Sequence, residues 1–135
     1  MKRSLALVTV VVRDYDEAIA WYTRVLGFTL LEDDDRGGGK RWVRVAPGAD
    51  SETALLLAQA GNDAQCTRIG DQSGGRVGFF LHTDDFDRDH AALRARGVRF
   101  TEAPRVEAYG TVAVFEDLYG NRWDLLQPNA AQPCA

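Results

Sequence analysis

The order of apolar and polar positions along the chain predicts its elements in turn. Leu7 to Val12 is an apolar run rich in β-branched residues (Val8, Thr9, Val10, Val11, Val12), which predicts a buried strand ending at Arg13-Asp14. Ala18, Ile19, Tyr22, Val25 and Leu26 follow at helical spacing, and FTLLE, KRWVRVAP and ETALLLAQ then predict three more strands. The same order returns further along. A strand over FLHT leads to a helix carrying Phe86, His90, Ala92 and Leu93 on one stripe, followed by strands in VRFTEAP, TVAVFED and RWDLLQP. The helical stripes read as core, with His90 a half-buried packing residue.

Each half therefore reads as βαβββ, and the two halves are copies. Asp14-Tyr15-Asp16 in the first matches Asp85-Phe86-Asp87 in the second at an offset of 71, and Gly27 matches Gly97 at an offset of 70. An aspartate before each helix caps its free N–H groups and meets the positive end of its dipole, while a glycine after it takes the left-handed closing conformation without a Cβ clash. The expected organisation is one α+β domain over residues 1–135: module one at 4–60, a polar and mobile linker at 61–75, and module two at 76–128. The run DDDRGGGK, residues 33–40, reads as a flexible hairpin loop.

Composition narrows the function. With 135 residues, 45% hydrophobic and 27% charged, the chain suits one compact domain with a real core. A net charge of -4 with interspersed signs offers no basic face for a phosphate backbone, so nucleic acid is not an expected partner. Lys2 and Arg3 ahead of an apolar run imitate a signal peptide, but no small-residue cleavage site follows, and nothing approaches transmembrane length. Cys66 and Cys134 have neither the number nor the spacing of a disulfide framework or zinc cluster, which fits a cytoplasmic protein with two spare thiols. No G-x-S-x-G elbow, phosphate-binding loop or dinucleotide fingerprint is present.

Two βαβββ modules in this length, with YGNRWDLLQP closing the second, resemble the vicinal oxygen chelate superfamily of glyoxalases, bleomycin resistance proteins and extradiol dioxygenases. The resemblance implies a curved mixed sheet in each module forming a half-open cup, a homodimer, and, in metal-dependent members, ligands on the first and last strands of both modules. Those positions fall here on Leu7, on Gly78, within residues 54–57 (ALLL) and on Asp124. Asp124 is the one ligand-type match, so no metal and no other cofactor is expected; a divalent metal is the alternative. His82 lies four residues past Gly78, about 13 Å along a strand, too far to replace the missing ligand.

Strand alternation sorts the remaining candidates. Val8, Val10 and Val12 should face the helix, leaving Leu7, Thr9, Val11 and Arg13 toward the cup; in the matching strand Phe79, Leu81 and Thr83 face the helix and Gly78, Phe80 and His82 the cup. On the closing strand Arg122, Asp124 and Leu126 share a face that the resemblance assigns to the cup. Thr9, Trp42, Phe80, His82, Tyr109, Arg122 and Asp124 are thus the candidate binding residues. Trp42 serves equally as sheet core, Tyr109 as a loop anchor, and Arg122 as the partner of a surface carboxylate. His82 is the candidate acid or base, because a histidine side chain ordinarily exchanges protons near neutrality, or simply a rim residue.

Three functions fit this reading. One is a metal-independent protein that binds a small apolar or aromatic molecule for sequestration or resistance. The second is a metal-dependent lyase, isomerase or dioxygenase, and the third is a bare interaction module.

Overall fold

A computed structural model describes residues 2–130. The chain divides into two compact units, Met1–Gln72 and Ser73–Ala135, and each carries its own mixed sheet.

In the first unit, β1 (Leu7–Val12), α1 (Tyr15–Ala20), β2 (Thr29–Gly37), β3 (Lys40–Ala46) and β4 (Ala54–Gln59) build a four-stranded sheet in the order β1-β4-β3-β2. β1 and β4 run parallel and the other pairs antiparallel. Val10 and Val12 are fully buried with Val43, Val45 and Leu57, under Ala18 and Tyr22 of the helical layer. Val8 shares their side of the strand, yet it is 37% exposed, so its expected place in the core is not realised. The Asp14 carboxylate caps α1 by accepting from the Glu17 N–H at 2.8 Å, and Gly27 closes the helical segment with φ 83°.

Three expectations are corrected in this unit. The helix is α-helical only to Ala20 and continues as a π-helical turn over Trp21–Val25, where the Leu26 N–H reaches back to the Trp21 carbonyl. The wider turn keeps Tyr22 and Leu26 both buried. The acidic run is not a loop: β2 continues through Asp33, Asp34 and Asp35, opposite Val43, Trp42 and Arg41, and the turn is confined to the glycines. The Arg41 guanidinium bonds both Asp33 oxygens, at 3.1 and 2.8 Å, and so neutralises the charge that would otherwise disfavour a strand. The expected linker contains α2 (Asp63–Cys66), capped by the Asn62 side chain, and its Gln72 side chain pairs with both backbone groups of Val11 on the open edge of β1.

The second unit has β5 (Val77–His82), α3 (Phe86–Ala95), β6 (Arg99–Phe100), β7 (Arg105–Glu107), β8 (Gly110–Glu116) and β9 (Arg122–Pro128), with sheet order β5-β9-β8-β6 and β7 paired to the far end of β8. β7 is one strand more than expected. The Asp85 side chain accepts from the Arg88 N–H at 3.1 Å, and Gly97 has φ 93°, so the second helix opens and closes as the first does. Under α3 runs a row of rings. Phe79 stacks on Trp123 at 4.7 Å, Trp123 on Phe115 at 5.7 Å, Phe115 meets Phe100 at 5.6 Å, and His90 lies against both Phe100 and Phe86. His90 is thus a packing residue, and its burial holds its pKa below the usual histidine value.

Candidate functional site

Because side chains alternate along a strand, the ring row on the helix side of the second sheet dictates what the other side carries. Phe80, Asp124 and Val114 are register partners across β5, β9 and β8, and His82, Leu126 and Val112 form the next row on the same face. Phe80 is 62% exposed, whereas Asp124 beside it is only 8% exposed. A large ring left in solvent next to a carboxyl withdrawn from it is the unusual feature of this face.

The Asp124 carboxyl has an uncomfortable place. Its Oδ1 is shut off from solvent and has no hydrogen-bond partner among the described residues. Burial disfavours the charged form and raises its pKa; the nearby Arg105 guanidinium opposes this, and Glu102 adds to it. Arg105 is not free to pair with it. Its guanidinium binds Glu102 at 3.0 Å and Glu107 at 2.7 Å, and the Tyr109 hydroxyl lies against it as well. Glu102 is fixed in turn by accepting from the Val114 N–H at 3.1 Å.

Phe80, His82 and Asp124 therefore lie together on one face, with Tyr109, in the turn between β7 and β8, reaching it through Arg105. Tyr109 is 53% exposed. Arg122 shares the strand face of Asp124 but is exposed, opposite Val77 and Glu116. His82 also lines a cavity of about 540 Å³ with Thr83, Asp84, Gln127, Pro128 and Ala130, where the strands end. Sequence reasoning did not include Glu102, Arg105 and Glu107. Charges two or three residues apart in EAPRVE were the available signal, but nothing local placed Glu102 and Arg105 beside Asp124.

The other candidates belong to the first unit. Thr9, exposed on β1, pairs in register with Leu56, and Leu56 with Arg44, which binds Glu32 at 2.8 Å. Trp42 is half-buried opposite Asp34, with the Arg36 guanidinium 5.5 Å over its ring. Leu56 holds the same register against β1 that Asp124 holds against β5, so the two sheets differ at this position by one carboxyl. Among the described residues no group of three or more His, Cys, Asp or Glu side chains is gathered to hold a metal ion. Cys66 is exposed at the end of α2, and Cys134 lies outside the described residues.

The model of the Glyoxalase/Bleomycin resistance protein/Dioxygenase superfamily matches residues 4–125. The chain belongs to this superfamily. Its duplicated α+β architecture, with two mixed sheets and few helices, is the glyoxalase/bleomycin resistance fold. A similar sequence is an uncharacterized protein of Shewanella frigidimarina (strain NCIMB 400), 51% identical over 134 residues, covering 98% of this chain and 99% of that one. The crystal structure of TnmS3, an antibiotic binding protein from Streptomyces sp. CB03234, superposes with a TM-score of 0.76 at 33% identity, covering 95% of this chain and 98% of that chain. A glyoxalase/bleomycin resistance protein from the same Streptomyces superposes with a TM-score of 0.70 at 35% identity, covering 92% and 100%. Among the described residues no helix is long and apolar enough to cross a membrane.

Proposed function

We propose that this superfamily member binds a planar, largely apolar small molecule against the Phe80 face of its second sheet, without a metal ion and without transforming it, as a cytoplasmic homodimer that sequesters the compound. The observation that carries the reading is the pairing of Phe80 and Asp124: an exposed ring to stack on, beside a withdrawn polar group to orient what stacks. An apolar face with a few convergent polar groups is the usual make-up of a small-molecule site. The likeness to TnmS3, an antibiotic binding protein, supports a small-molecule ligand.

The donor set argues against a metal. Of the positions at which the resemblance puts ligands, Leu7 and residues 54–57 (ALLL) offer no side-chain donor atom, and Asp124 is a single carboxyl. A Cβ on Gly78 would stand 2.8 Å from Ser73 Oγ, so a histidine there would have to displace Ser73. Zinc and similar ions take about three or four protein ligands. The residues present do not fit such an ion.

Two measurements test the proposal. Thermal-shift titration with planar aromatic compounds should raise the melting temperature, because a ligand that binds the folded state stabilises it by mass action. Phe80→Ala should remove that shift while leaving the unliganded melting temperature nearly unchanged. Elemental analysis of protein purified without chelator should find no stoichiometric metal. Stoichiometric Fe, Mn, Ni or Zn would overturn this reading in favour of a metal-dependent lyase, isomerase or dioxygenase.

A further inference from the structure

We propose that the compound taken up at this face presents a hydrogen-bond donor, a protonated amine or an aromatic N–H or O–H, to the Asp124 carboxyl, so that cationic or donor-bearing planar molecules are selected over anionic ones. The inference rests on the binding function proposed above and adds the chemical class of the ligand.

The argument begins with what Asp124 lacks. The residue is only 8% exposed, and Oδ1 is shut off from solvent with no hydrogen-bond partner among the described residues. A buried polar group left unmatched is costly, so a protein that retains one gains affinity for whatever supplies the missing partner. The register of β5 and β9 sets this group beside the exposed ring of Phe80, which gives the partner a surface to stack on.

The neighbouring charges decide the partner's sign. From the segment preceding β7 and from β7 itself come Glu102, Arg105 and Glu107; from β9 comes Arg122, and from β5 His82. Arg105 is the cation that acts on the Asp124 carboxyl, and it is already held by two glutamates. Arg122 is exposed and is not among the charges that act on the Asp124 carboxyl; its register neighbour Glu116 pairs with Arg99 at 3.7 Å. A ligand anion seated on Asp124 would therefore meet that carboxyl and Glu102, while the guanidinium that acts on them, Arg105, is already held by two glutamates. A donor or a cation would complete the carboxyl. The same geometry predicts that protons compete with such a ligand, since a neutral carboxyl no longer attracts a cation.

The test uses the full-length protein and two planar three-ring probes of opposite charge, proflavine and anthracene carboxylate. Fluorescence titration at neutral pH should give proflavine an affinity at least about tenfold tighter, the scale of one hydrogen bond to a charged group. Asp124→Asn should erase most of that preference, and acidification should weaken proflavine binding to the parent protein but not to the variant. Equal affinities, or a preference that survives in Asp124→Asn, would overturn the donor assignment while leaving the binding function standing. Absence of binding by either probe would overturn both.

Discussion

The Gln127 side-chain carbonyl accepts a hydrogen bond from the Phe86 N–H at 2.7 Å, tying the last strand of the second unit to the first residue of α3. The first unit makes the same link: Gln59, at the end of β4, accepts from the Tyr15 N–H at 3.2 Å, at the start of α1. An N–H in the first turn of a helix has no partner within the helix, so each glutamine satisfies a donor that would otherwise be lost to the interior. Gln127→Leu keeps the bulk and removes the acceptor beside Phe86, which is 2% exposed. The expected loss is on the order of 2 kcal/mol, read as a lower urea midpoint at unchanged slope. Gln59→Leu should cost less, because its bond is longer.

Arg41 joins β3 to β2 and α1 by binding Asp33 and Asp16, each at 2.8 Å, with its guanidinium 5.2 Å from the centre of the Tyr15 ring. Hydrogen bonding to Arg41 lowers the Asp33 pKa below its ordinary 3.8, against a smaller opposing effect of burial. A carboxylate whose folded pKa is depressed contributes stability above its unfolded value and loses it as pH falls through the folded one. Arg41→Met should therefore cost about 1 kcal/mol near neutrality. The gap between variant and parent should narrow once the pH drops below about 4. Urea unfolding at neutral and acid pH measures both, and a gap that is independent of pH would show the ion pair to be idle.

Much of this architecture was legible because it depends on local chemistry. Asp14 and Asp85 cap, and Gly27 and Gly97 close, because one residue type suits each position, and the copy displays the rule twice. β7 was not legible. Its single apolar residue, Val106, is 86% exposed, so no apolar alternation marks the strand, which exists through its pairing with β8 and the Arg105–Glu107 ion pair. The persistence of β2 through Asp33, Asp34 and Asp35 depends in the same way on cross-strand partners. At the site, alternation placed Phe80, His82 and Asp124 on one face. The charges that set the environment of Asp124 come from the segment after β6, and that proximity has no local sequence signal.

Asp124 also makes the site a stability liability with a definite pH signature. Burial is the main cause of its raised pKa. A carboxyl whose folded pKa lies above its unfolded value binds the proton more tightly when folded, so stability falls as pH rises through the interval between the two and stays lower beyond it. Asp124→Asn keeps the shape and removes the charge. It should gain on the order of 1 kcal/mol at neutral pH, and the gain should shrink on acidification as the parent carboxyl takes up its proton. A loss of stability at neutral pH would mean that the carboxylate has a stabilising partner in solution, and the argument from its unmatched Oδ1 would fail. If the gain appears together with weakened proflavine binding, the residue trades stability for recognition, as expected of a group retained for its ligand and not for the fold.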